Sequence, residues 1–136
     1  MHRGILIVGS LLAALAVALG AFGAHGLETK VLPDDLRIYN TGVQYHFYHI
    51  PGILITGLLW RKIPVAAVLW ASRFFTAGIA LFSGSLYSIT YLKAAQVPVQ
   101  RWINFLTPVG GVCFILGWFL LGWGINKGNG KEWTKQ

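Results

Sequence analysis

In a chain of 136 residues only 11% are charged, about half the share usual in soluble domains, while 55% are hydrophobic. Four stretches hold no Asp, Glu, Lys or Arg: Gly4 to Leu27 (24 residues), Ile38 to Trp60 (23), Phe74 to Leu92 (19) and Trp102 to Asn126 (25). Crossing a hydrocarbon core of about 30 Å takes roughly 20 mainly apolar residues, so each stretch is long enough for one span, which excludes a soluble α/β enzyme, a disordered chain and a disulfide-stapled secreted domain. The fold expected is all-α, an integral membrane bundle of four antiparallel transmembrane helices in one domain, with spans near residues 4–24, 36–60, 65–91 and 105–125. The net charge of +7 sits mostly between or beside the apolar runs, which points to anionic membrane lipids as partners and not to nucleic acid. The single Cys113 lies inside the fourth run, so neither an intramolecular disulfide nor a paired-cysteine metal site is available.

Met1-His2-Arg3 before an apolar run that ends in Ala21-Phe22-Gly23-Ala24 has the outline of a signal peptide, but the run is long for a signal core and is read as a retained span. In that first helix Ala16, Gly20 and Ala24 recur every four residues and allow a close helix contact. Pro33-Asp34-Asp35 then matches helix-start chemistry, proline at the first position and acids in the first turn. Pro51, inside the second helix, cannot bond the Phe47 carbonyl and should leave a freed acceptor beside His49. Arg61-Lys62-Ile63-Pro64 makes a tight turn, with Trp60 and Trp70 as interfacial anchors on either side. Asn104 to Pro108 resembles a cap followed by proline at the first position of the fourth helix, and the segment from Asn126 to Gln136 reads as a polar, basic, surface-lying tail. Counting Lys and Arg, seven fall on the side of the termini and four on the other, so both termini are expected inside.

Helical periodicity divides the second helix into a face with Gly42, Tyr45, His46, His49, Ile53, Thr56 and Gly57, expected to meet protein, and a lipid face with Phe47, Leu54, Ile55 and Leu58. On the third helix Arg73, Ala77, Ala80, Gly84 and Ser88 form the expected close-packing seam, opposite Phe75, Ile79, Phe82 and Leu86. Arg73 stands about eight residues into its helix with no acid in any neighbouring apolar stretch. Its candidate partner is a lipid or cofactor phosphate, against the plainer reading of a side chain that snorkels to the interface.

His25, His46 and His49 are the most suggestive polar set, with Tyr45, Ser83 and Ser85 beside them. Three imidazoles can hold zinc or copper, one can ligate haem, and imidazole can relay protons, but structural histidines bonded to their neighbours account for the same residues. Ser83-Gly84-Ser85 invites a nucleophile reading, yet small hydroxyls in membrane helices usually bond their own backbone. With no nucleophile–base pair, phosphate-binding loop or paired carboxylates within a span, no enzyme is expected, and neither a metal nor a cofactor is assigned.

Five ordered motifs run through all four spans: Gly20-Ala21-Phe22-Gly23-Ala24-His25-Gly26, Tyr45-His46-Phe47-Tyr48-His49, Phe82-Ser83-Gly84-Ser85-Leu86-Tyr87, Thr107-Pro108-Val109-Gly110-Gly111 and Gly117-Trp118. Together they resemble the small four-span membrane protein family known as domain of unknown function four-two-three, with bacterial inner-membrane members and mitochondrial relatives. Gly26 departs from the alanine expected at that place. The resemblance implies a four-helix membrane protein in a bacterial inner membrane and brings no activity or catalytic residue. Two functions are carried forward: a noncatalytic packing, accessory-subunit or lipid-binding protein, alone, as a homo-oligomer or in a larger complex; and an intramembrane site for a proton, metal ion, haem or quinone on the histidine face.

Overall fold

The computed structural model describes the backbone of residues 1–132 and the side chains of residues 1–128. Among the described residues all regular structure is helical and forms four antiparallel rods. The first rod is α1 (Arg3–Phe22), prolonged by a π turn at Gly23–Leu27, and the second is α2 (Pro33–Leu59). The third joins α3 (Ala66–Gly78), a π turn at Ile79–Ser83 and α4 (Gly84–Ala94); the fourth is α5 (Arg101–Glu132). The first, third and fourth rods are long and apolar enough to cross a membrane. α2 has the length, 27 residues, but is less apolar, because it lies at the centre of the bundle and spends polar side chains inward. Tyr39, His46, His49 and Thr56 of α2 are all buried, where they meet protein and not hydrocarbon.

α2 packs on α1 at one side and on the third rod at the other, and α5 closes against the third rod. The start of α2 follows the sequence, with Pro33 at the first position and Asp34 and Asp35 in the first turn. The start of α5 does not. The helix begins at Arg101 and Pro108 lies inside it, so Asn104 is no cap. Pro108 forfeits only the bond to the Asn104 carbonyl, while the earlier start lets Ile103 pack with Leu86 and Ile89 in a small apolar cluster near that end of the bundle. At the other end α5 continues as helix through Glu132, past the end expected near Ile125; Trp133 and the three residues after it lie outside the described residues.

The faces of α2 are as the periodicity predicts, except that Tyr45 keeps 38% exposure, but those of the third rod are reversed. Phe75, Ile79 and Leu86 are buried, and Arg73, Ala80 and Ser88 are exposed. The reason lies in the partner helices, which supply the small residues. A side-chain carbon at Gly52 of α2 would come within 2.8 Å of the Phe75 ring, and one at Gly117 of α5 within 2.7 Å of the same ring. Gly78 reverses the roles and receives Phe114 of α5. Phe75 is completely buried between these glycines and belongs to the main core with Ile5, Ile53, Ala71, Ile79, Phe114 and Leu121. A stripe of small residues allows a close approach but does not require one; here the large side chains of the third rod find the holes.

Candidate functional site

The polar residues singled out by the sequence separate into different environments. His25 is exposed in the π turn that follows α1. His46 and His49, one turn apart on the inward face of α2, are 1% and 6% exposed. His46 Nδ1 lies 3.2 Å from the Tyr87 hydroxyl of α4, while its Nε2 is buried and has no hydrogen-bond partner among the described residues. The Tyr39 ring of α2 packs against Tyr87 at a tilt of 47°, with centroids 5.0 Å apart, and its hydroxyl donates to the Leu19 carbonyl of α1 at 2.8 Å. Three rods are thus tied by one run of side chains: α1 to α2 through Tyr39, and α2 to α4 through His46 and Tyr87.

His49 donates from Nδ1 to the Tyr45 carbonyl at 2.6 Å, so it caps an acceptor one turn back and not the Phe47 carbonyl freed by Pro51. Its ring lies flat on Phe114 of α5, centroids 3.5 Å apart and planes 9° apart. Around it Tyr45 stacks on Phe82 at 4.5 Å and Phe75 meets Trp118 edge-on at 4.8 Å. His49 is therefore the polar member of an aromatic cluster that joins α2, the third rod and α5, a setting in which ring stacking adds to apolar packing.

The two serines also differ. Ser83 is completely buried and its hydroxyl has no partner among the described residues. Ser85 donates to the Phe82 carbonyl at 2.8 Å and shares a 2.6 Å bond with the Thr107 hydroxyl of α5. Among the described residues neither is bonded to a histidine or carboxylate, the partner that would activate a hydroxyl as a nucleophile. Arg73 is exposed, with its guanidinium 4.8 Å over the Trp70 ring, and has no carboxylate partner among the described residues. Among the described residues no three of His, Cys, Asp and Glu come together in a group able to hold a metal ion. His25, His46 and His49 do not converge.

Sequence spacing alone does not pair Asp35 with Lys93. Asp35 in the first turn of α2 is paired with Lys93 in the last turn of α4 at 2.5 Å, and its backbone carbonyl accepts from the buried Thr90 hydroxyl at 3.2 Å. The available signal was positional. An acid at the start of one antiparallel helix and a base at the end of the next lie at the same membrane surface.

Residues 19–111 match the family described as "Protein of unknown function (DUF423)". The chain belongs to this family. It is 44% identical over 117 residues to the UPF0382 membrane protein YwdK of Bacillus subtilis, an alignment covering 85% of this chain and 90% of that one. A UPF0382 membrane protein of Staphylococcus epidermidis is 42% identical over 116 residues, covering 85% and 89% of the two chains. The UPF0382 inner membrane protein YgdD of Escherichia coli is 36% identical over 119 residues, covering 88% and 86%. No solved structure matches. The family membership and the apolar rods together make this a small polytopic integral membrane protein, as the motifs implied. None of the relatives' names states a catalytic activity.

Proposed function

We propose that this protein is a noncatalytic packing protein of the bilayer that works as a subunit or partner of a membrane assembly, oriented with both termini inside. The observation that supports this reading is how the interior polar groups are used. His49, Tyr39, Ser85 and Thr56 bond backbone carbonyls or a neighbouring hydroxyl, and buried polar groups that already have partners join helices instead of presenting reactive atoms. The orientation rests on the lysine and arginine count, with Arg3, Arg61 and Lys62 at the end that carries the N-terminus and the turn between α2 and α3.

A second reading, an intramembrane site for a proton or a small ligand such as a quinone, is favoured by the unpartnered His46 Nε2 and Ser83 Oγ, since a buried polar atom without a partner is costly and calls for an explanation. One experiment separates the two. The full chain is purified in mild detergent beside His46→Leu and His49→Phe variants, and bound metals, haem, quinones and proteins are measured by mass spectrometry and elemental analysis. The packing reading expects a copurifying protein or a second copy in fixed ratio, retained by folded His49→Phe. A stoichiometric cofactor lost in either histidine variant would overturn it.

A further inference from the structure

α1 and α3 both pack on α2 but make little contact with each other. Between them, at the end of the bundle that carries the N-terminus, runs an open lateral groove of about 640 Å³. Its floor is Ile53 of α2, and its walls include Val8 of α1 and Leu69, Ala77 and Ala80 of the third rod. Arg73, Ala77 and Ala80, the first part of the stripe left uncovered on the third rod, therefore line this groove.

Three properties of the groove describe its occupant. The first is length. On the third rod the lining runs from Leu69 to Ala80, twelve residues and a rise of about 16 Å, against about 15 Å for one leaflet's half of the hydrocarbon core. The second is polarity. The Ser72 hydroxyl donates to the Leu69 carbonyl at 2.8 Å and that of Thr76 to the Ser72 carbonyl at 2.9 Å, so these hydroxyls are consumed by their own helix, and the polar groups left in the lining are His2, whose Nδ1 accepts from the Ile5 N–H, and Arg73. The third is charge. Arg73 also lines the groove, is stacked on Trp70, and has no carboxylate partner among the described residues.

Helical side chains lean toward the N-terminal end of their helix, which directs the Arg73 guanidinium toward the near membrane surface and the level of Trp70. Tryptophan side chains collect at the membrane interface, the region that also holds the lipid phosphates. A guanidinium offers a planar fork of donors matched to a phosphodiester, and it sits over a groove as long as one acyl chain. We propose that the groove is a phospholipid site, with one acyl chain lying between α1 and α3 and the phosphodiester held by Arg73. The site stands apart from the packing reading above, because a bound lipid is compatible with that reading or with its alternative.

The test is native mass spectrometry of the full chain in detergent with added phosphatidylglycerol, or with diacylglycerol as a phosphate-free probe. Wild type is expected to retain one phosphatidylglycerol and little diacylglycerol. Arg73→Gln should lower phosphatidylglycerol occupancy about tenfold, in line with loss of a charge-assisted contact, and Ala77→Phe should do the same by filling the groove. Ile115→Phe, on the exposed face of α5, should leave occupancy unchanged. Should Ala77→Phe fail to fold, Ala80→Leu and the diacylglycerol comparison carry the same question. Equal retention of both probes by wild type, unchanged binding in Arg73→Gln, or a dimer held together through this groove in place of lipid would each overturn the proposal.

Discussion

His46 is 1% exposed, bonded at Nδ1 to Tyr87 and, among the described residues, unpartnered at Nε2. Removing either member of the pair leaves the other short of a bond inside the membrane. His46→Leu and Tyr87→Phe should each lower stability by about 1–3 kcal/mol, the cost of stranding a buried polar group. The double variant should cost less than the sum of the two, by about 0.5–1 kcal/mol, because nothing is then stranded by the lost bond. Reversible unfolding in bicelles measures this cycle; strict additivity would mean that the two groups do not interact. The sequence marked His46 as inward-facing through its helical spacing from Gly42, His49 and Ile53. It did not name Tyr87 as the partner, because a hydrogen bond across two helices depends on their relative height, and that height is set by glycine contacts elsewhere along the helices.

At the scale of the helices, the decisive residues are glycines that receive aromatic side chains or backbone. At Gly110 an added side-chain carbon would overlap the Phe82 backbone nitrogen, whereas at Gly122 it would meet nothing within 4 Å. Gly110→Ala must therefore push α5 off the third rod and should cost about 1–3 kcal/mol, the range for overpacking. Gly122→Ala should be neutral or slightly stabilising through helix propensity. Thermal unfolding of the two variants side by side checks the contrast, and equal stabilities would contradict the packing described. The end of α4 supplies another test. Gln96 takes φ +57, while its N–H donates to the Lys93 carbonyl at 3.0 Å and the Val97 N–H to the Leu92 carbonyl at 2.9 Å. This is the left-handed helix stop that glycine usually provides. Gln96→Gly should raise stability by roughly 0.5–1 kcal/mol by relieving the left-handed strain, read as a higher unfolding temperature; a lower one would show that the glutamine side chain contributes more than the strain costs.

For the molecule as a whole, the Asp35–Lys93 pair clasps the second and third rods at the end away from the N-terminus. Their side chains keep 13% and 43% exposure, so solvent screens the pair and its worth is about 1 kcal/mol at most. Asp35→Asn should lower the unfolding temperature, and the loss should shrink in high salt, where wild type loses the same attraction. A salt-independent difference would assign the effect to the Thr90 bond at the same residue instead. At the opposite end no such clasp closes α1 against α3, and the lateral groove opens there.

The number of rods, their order and the inward face of α2 were legible in the sequence, because charge-free runs and a 3.6-residue period follow directly from the cost of placing polar groups in hydrocarbon. The start of α5 was not, since Pro108 carries the local signal of a first helical position and the contact of Ile103 with Leu86 and Ile89 overrode it. Nor was the packing face of the third rod legible: small residues permit contact on one side and large ones seek holes on the other, and which side wins depends on where α2 and α5 place Gly52, Gly110 and Gly117. The histidines could be counted from the sequence, but their separation into an exposed turn, a tyrosine-bonded pair and an aromatic stack was decided by the tertiary structure. Membrane insertion is a property of each segment's composition, whereas a site is a property of distances between segments, and those distances exist only once the helices have packed.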